Sequence, residues 1–84
     1  MKLIFSDEAW EDYLYSQKQD RKMVERINKL INEVEREPFA GVGKPESVKH
    51  ALSGYWSRRI NDEHRMVYKI EDGSLLLAQL RYHY

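Results

Sequence analysis

The sequence contains no cysteine. That absence excludes disulfides and thiolate metal sites as supports for the fold, and it agrees with a reducing compartment. Apolar runs are also short. Leu3-Ile4-Phe5 is too brief for the apolar core of a signal peptide, and no segment approaches the roughly 20 apolar residues of a membrane-spanning helix. These features point to a cytoplasmic protein. Nor is there an excess of charge of either sign: 14 Lys and Arg balance 14 Asp and Glu. With 42% hydrophobic and 33% charged residues, the composition is that of a globular domain and not of a disordered or fibrous chain. Eighty-four residues suit one domain, spanning 1–84, with a thin stability margin, because a fold of this size buries only about 60–65% of its unfolded surface.

Familiar chemical motifs are missing too. There is no Walker-type phosphate loop, no GxSxG, no HExxH and no Cys/His ligand spacing. The glycines of GVGKP follow a helical pattern and precede a proline, so they do not form a strand-to-helix phosphate cradle. Three scattered histidines, His50, His64 and His83, are a weak metal signal. The expectation is an activity without metal or cofactor, with His50 and His64 structural or incidental.

What is present is local order. KLIF at 2–5 reads as a strand. Ser6 is an N-cap, with Asp7 and Glu8 suited to a helix N-terminus. Ala9, Trp10, Tyr13 and Leu14 recur at helical spacing, which predicts a helix over 7–18. After QKQD, Asp20 caps a second helix with the apolar stripe Met23, Val24, Ile27, Leu30, Ile31 and Val34. Pro38 stops it. Residues 39–54 read as loop. YWSRRI, HRMVYKI and SLLLAQLRYHY read as strands joined by the turns NDE and EDG. The order β-α-α-β-β-β predicts an α+β fold: a mostly antiparallel twisted sheet carrying an antiparallel helix pair on one face.

Formal neutrality hides an asymmetry. Residues 1–40 carry seven Lys/Arg and nine Asp/Glu; residues 41–84 carry seven and five, with all three histidines and four of the six tyrosines. Arg58, Arg59, Arg65, Lys69 and Arg81 lie near Tyr55, Trp56, Tyr68, Tyr82 and Tyr84, and the loop adds Lys44 and Lys49. Strand alternation puts Tyr55, Ser57 and Arg59 on one face and Trp56, Arg58 and Ile60 on the other. In the last strand, alternation assigns Leu76, Ala78 and Leu80 to the core and turns Arg81 and His83 toward an open face. A basic face with aromatics suits a polyanion whose bases stack. Taken alone, the same residues describe a decorated sheet nearly as well.

The stretch GKPESVKHALSGYWSRRINDEHRMVY, with RYHY at the end, resembles the YoeB-like toxins of the RelE/ParE superfamily, and the resemblance runs from MKLIFSDEAWEDYLY onward. It implies a ribosome-dependent, metal-independent endoribonuclease that cuts mRNA in the ribosomal A site, an antitoxin of the YefM type as partner, and a homodimer. It also implies roles for matching positions: Glu46, Arg65, His83 and Tyr84 as catalytic, and Lys49, Arg59, Lys44 and Arg81 as substrate-binding. Glu46 becomes the candidate base, since free Glu titrates at about 4.3, and His83 the candidate acid, since free His titrates at about 6.5. Two other functions are compatible with such a sequence: gyrase inhibition of the ParE type, and nucleic-acid binding without catalysis.

Overall fold

A computed structural model describes residues 1–49 and 54–82. Strand β1 (Lys2–Phe5) leads into helices α1 (Asp7–Gln19) and α2 (Arg21–Arg36), followed by β2 (Glu46–Ser47), β3 (Trp56–Arg59), β4 (Arg65–Glu71) and β5 (Ser74–Gln79). The five strands form one mixed sheet in the order β1-β5-β4-β3-β2. β1 lies parallel to β5, and the remaining pairings are antiparallel. The α+β architecture therefore stands, with β2 as a short extra edge strand that the sequence pattern did not mark. No helix among the described residues is long and apolar enough to cross a membrane.

The predicted caps form. Ser6 Oγ accepts from the Ala9 amide at 3.0 Å, and the Asp20 carboxylate accepts from the Met23 amide at 3.2 Å. Each satisfies a donor that the first helical turn leaves without an intrahelical partner. Asp20 is the only residue between the helices, a tighter link than QKQD suggested. Tyr13 Oη donates to Asn28 Oδ1 at 2.8 Å and ties the pair together. α2 buries Met23, Ile27, Leu30, Ile31 and Val34 as the stripe requires. They pack on Ile60, Met66, Tyr68, Leu75, Leu77 and Leu80 from the sheet. Truncating a buried leucine such as Leu30 to alanine costs about 2–5 kcal/mol in such a core.

α1 departs from its expected stripe. It buries Ala9, Asp12 and Ser16, while Trp10, Leu14 and Tyr15 are exposed. Small residues let this helix approach the sheet closely. Asp12 is buried because its Oδ2 accepts the Leu80 amide at 2.9 Å, which meets the need of a buried polar group for a partner.

The last strand is also corrected. Val67 pairs with Gln79 but Tyr68 pairs with Leu77, so Ala78 is an extra residue in β5. This bulge reverses the alternation. Leu75 and Leu77 face the core before it and Leu80 after it; Leu76 and Ala78, expected inside, are only half-buried. β5 ends at Gln79 instead of running on through RYHY. At the other hairpin, Asp72 and Gly73 both adopt positive φ, 51° and 73°, as the two-residue turn between β4 and β5 demands.

Arg58 is the second correction. Expected among the surface cations, it is fully buried. Its Nη1 donates to the Val42 carbonyl at 2.8 Å, and its Nη2 to the Ala40 carbonyl at 2.8 Å and to the Glu37 carbonyl. Its Nε donates to Tyr68 Oη at 3.2 Å, and Tyr68 Oη donates to the Pro38 carbonyl at 2.6 Å. The loop after α2 is thus bound to the sheet by two side chains. Gly43 completes the fit. Its φ is +89°, and a Cβ there would lie 3.0 Å from Leu30 Cδ2 and 3.2 Å from the Arg59 carbonyl oxygen. Only glycine combines that conformation with that approach.

Burial pushes the Tyr68 hydroxyl above its ordinary value of 10.0, and the Arg58 hydrogen bond and charge draw it partly back. The folded state then holds this proton more tightly than the unfolded chain does. Its stabilising contribution is complete below about pH 10 and declines as pH rises through the folded value. Tyr68→Phe is expected to lower stability by about 1–3 kcal/mol at neutral pH. The deficit against wild type should narrow above about pH 10. Denaturant titrations at a series of pH values measure it, and a deficit that stays constant into strong alkali removes the linkage.

Candidate active site

Directly opposed residues on neighbouring strands project to the same side of a sheet. Glu46 opposes Ser57. Ser57 opposes Val67, and Arg59 opposes Arg65. Val67 opposes Gln79. Glu46, Arg59, Arg65 and Gln79 consequently share the face away from the core that holds Met66, Tyr68 and Leu77. Glu46 and Arg59 are diagonal neighbours across one strand pair, a separation of about 7–8 Å. Glu46 and Arg59 are exposed and Arg65 is half-buried; Lys44 and Lys49, flanking β2, are exposed as well. Lys44 adopts φ 51° in the turn that swings the chain from the anchored loop into β2. Glu46 therefore shares a sheet face with Arg59 and Arg65, with Lys44 and Lys49 flanking its strand and the buried Ser57 and Val67 between them.

The turn between β3 and β4 shapes the cationic end. Asn61 Oδ1 accepts from the amides of Glu63 at 2.9 Å and His64 at 2.7 Å, a side-chain turn that asparagine forms readily. Arg65 Nη1 donates to the carbonyls of Asn61 at 2.6 Å and His64 at 3.0 Å. These bonds fix the guanidinium plane, and Nε and Nη2 have no hydrogen-bond partner among the described residues. Arg59 lies 4.0 Å from Asp62, a contact between exposed groups that contributes little.

The segment after β5 returns to this place. The Arg65 amide donates to the Tyr82 carbonyl at 3.0 Å, and the Tyr82 amide donates to His64 Nδ1 at 2.7 Å. Gln79 Nε2 donates to the Arg81 carbonyl at 2.9 Å. Arg81 does not point away from the helices, as strict alternation required. The bulge and the end of the strand turn it back, and its guanidinium lies 3.6 Å from the ring centre of Tyr15 on α1 and 4.5 Å from that of Tyr82. His83, Tyr84 and His50 lie outside the described residues. Chain connectivity makes His83 the residue after Tyr82, which is held against Arg65.

Sequence reasoning passed over two residues here. Asp12 and His64 both receive backbone amides of the segment that carries the final residues. Asp12 left a faint trace, since Ala9, Asp12 and Ser16 lie on one helical face. His64 left none, because its partner is 18 positions away.

This fold and this surface define a class: small α+β domains with a carboxylate and guanidinium groups gathered on one face of a sheet. Residues 5–84 match the family of YoeB-like toxins of bacterial type II toxin–antitoxin systems, and the chain belongs to that family. It is 60% identical to Toxin YoeB of Escherichia coli strain K12, with both chains covered completely. Its fold is similar to that of a YoeB/ParE toxin from Agrobacterium tumefaciens, with a TM-score of 0.97 and 49% identity over the whole of both chains. It is also similar to Staphylococcus aureus YoeB, solved as a dimer (TM-score 0.94, 47% identity). In a heterotetrameric YoeB–YefM complex the TM-score is 0.92 at 47% identity. In both structures all of this chain and 98% of the other are covered.

Proposed function

We propose that this toxin is a ribosome-dependent, metal-independent endoribonuclease of the cytoplasm that cuts the mRNA codon in the A site and so halts translation. The supporting observation is the strand register, which gathers Glu46, Arg59 and Arg65 on one face, together with the backbone bond that holds Tyr82, the residue before His83, against Arg65. Glu46 takes the proton of the ribose 2′-hydroxyl. The 2′-oxygen then bonds to the adjacent phosphorus, the bond from phosphorus to the 5′-oxygen breaks, and His83 protonates the departing oxygen. A 2′,3′-cyclic phosphate and a free 5′-hydroxyl result. Arg65, Arg59 and Lys49 neutralise the charge that builds on the phosphorane. Lys44 extends the cationic surface along the RNA backbone. Tyr84 holds the scissile phosphate or stacks a base, and Arg81 adds charge behind the tail. The need for a 2′-hydroxyl restricts cleavage to RNA. A YefM-like antitoxin covers the toxin, and a second copy of the chain pairs with it.

Primer extension on mRNA under translation tests this. New 3′ ends should fall within A-site codons, depend on ribosomes and survive a transition-metal chelator that spares ribosomal magnesium. Ribosome or RNA binding without new ends would make the protein a non-catalytic binder. Loss of gyrase supercoiling with intact mRNA would place it with the gyrase inhibitors.

A further inference from the structure

We infer that His64 is a positioning residue that anchors the final segment, and that it does so only while its Nδ1 carries no proton. The inference rests on the cleavage reading for its consequence, but the anchor can be measured apart from cleavage. Tyr82 is the hinge. It is a tyrosine with φ of +63°, a region that costs a non-glycine residue energy and persists only where the surroundings impose it. The surroundings do so from both sides: the Tyr82 amide is bonded to His64 Nδ1 and its carbonyl to the Arg65 amide. Tyr82, 55% exposed as a residue, contributes an edge contact from its ring to that of His64 with centres 5.6 Å apart, while its hydroxyl accepts from Arg81 at 2.7 Å. These two backbone bonds hold Tyr82, the last described residue, in its positive-φ conformation.

The geometry selects the state of the imidazole. Nδ1 accepts, so the ring proton resides on Nε2, which lies 3.6 Å from Glu63 Oε1. The His64 amide is bound by Asn61 Oδ1 and its carbonyl receives Arg65 Nη1. The side chain is 12% exposed with the tail in place, and the two backbone bonds hold its own turn independently of Tyr82. A proton on Nδ1 would turn the acceptor into a donor facing a donor, and the Tyr82 amide would be released. Of the charged groups nearby, Glu63 meets the ring and Arg65 the His64 carbonyl; Asp62 of the same turn pairs with Arg59 of β3, and Arg81 of the tail lies against the Tyr82 ring. Arg26 of α2 is bound to the carbonyls of Arg59 and Ile60.

His64→Ala and His64→Asn separate the roles, because the asparagine oxygen can stand where Nδ1 stands without titrating. In labelled full-length protein, the wild-type Tyr82 amide should be protected from exchange and should shift together with the His64 ring as pH falls. It should be protected and insensitive to pH in His64→Asn, and unprotected in His64→Ala. On ribosome-bound mRNA, His64→Ala should lose about tenfold in kcat with KM nearly unchanged, the consequence of one lost hydrogen bond in a positioned site. His64→Asn should recover most of that loss. A Tyr82 amide that exchanges freely in wild type, or that is unaffected by His64→Ala, overturns the anchor; so does His64→Ala cleaving at the wild-type rate. If wild type itself does not cleave, the cleavage reading falls and the amide measurements still decide the anchor.

Discussion

Glu46→Gln is expected to cut translated mRNA about 10²–10⁴-fold more slowly than wild type while melting at nearly the same temperature. The side chain is exposed on a two-residue edge strand, so the amide replacement removes a proton acceptor and little else. Its place beside Arg59 and Arg65 is set by backbone register, which the substitution leaves alone. His83→Ala should show a loss of similar size, since protonation of the departing oxygen is the other half of the same transfer. If the two act as a unit, the double variant should be scarcely slower than the worse single one, because removing either partner already disables the shared step. Single-turnover cleavage on ribosomes loaded with a defined codon measures all three. Wild-type rates for Glu46→Gln would remove the carboxylate from the chemistry and leave the face as a binding surface.

Arg58→Met is expected to lower stability by at least about 3 kcal/mol. Methionine roughly preserves the volume but supplies no donor. The carbonyls of Glu37, Ala40 and Val42 would lose the guanidinium, and Tyr68 would lose one of its two bonds. A domain of this size has on the order of 4–12 kcal/mol in total. The melting temperature should therefore fall by roughly 12–24 °C. Arg58→Lys should recover only part of this, because one ammonium cannot span the fork of acceptors that a planar guanidinium reaches. Cleavage should suffer even in the folded fraction. The loop tied down by Arg58 leads through Lys44 to Glu46, and the Gly43 carbonyl accepts the Arg59 amide at 2.7 Å. A melting temperature within about 3 °C of wild type would show that the buried cation is dispensable.

These two residues mark what could and could not be read in advance. Glu46 became a candidate only through a motif and its neighbours, since nothing local distinguishes a glutamate after proline from a solvated one. Arg58 was misread. Alternation put it correctly on the face with Trp56 and Ile60, yet a charged side chain on the core side needs partners to be buried, and those partners come from a loop 16 to 21 positions earlier. The same limit explains Leu76 and Ala78: period-two counting is sound until a bulge adds a residue, and the bulge is set by pairing with β4.

The order of helices and hairpins was written locally, in the caps Ser6 and Asp20, the α2 stripe and the Asp72-Gly73 turn, because each depends on contacts within a few positions. The parallel pairing of β1 with β5, the burial of Arg58 and Asp12, the reversal of alternation at Ala78 and the grip of His64 on Tyr82 were decided only when distant segments met. The physical reason is the same throughout: a hydrogen bond satisfied across the fold reassigns a side chain that its neighbours in the chain would have left at the surface or in the core.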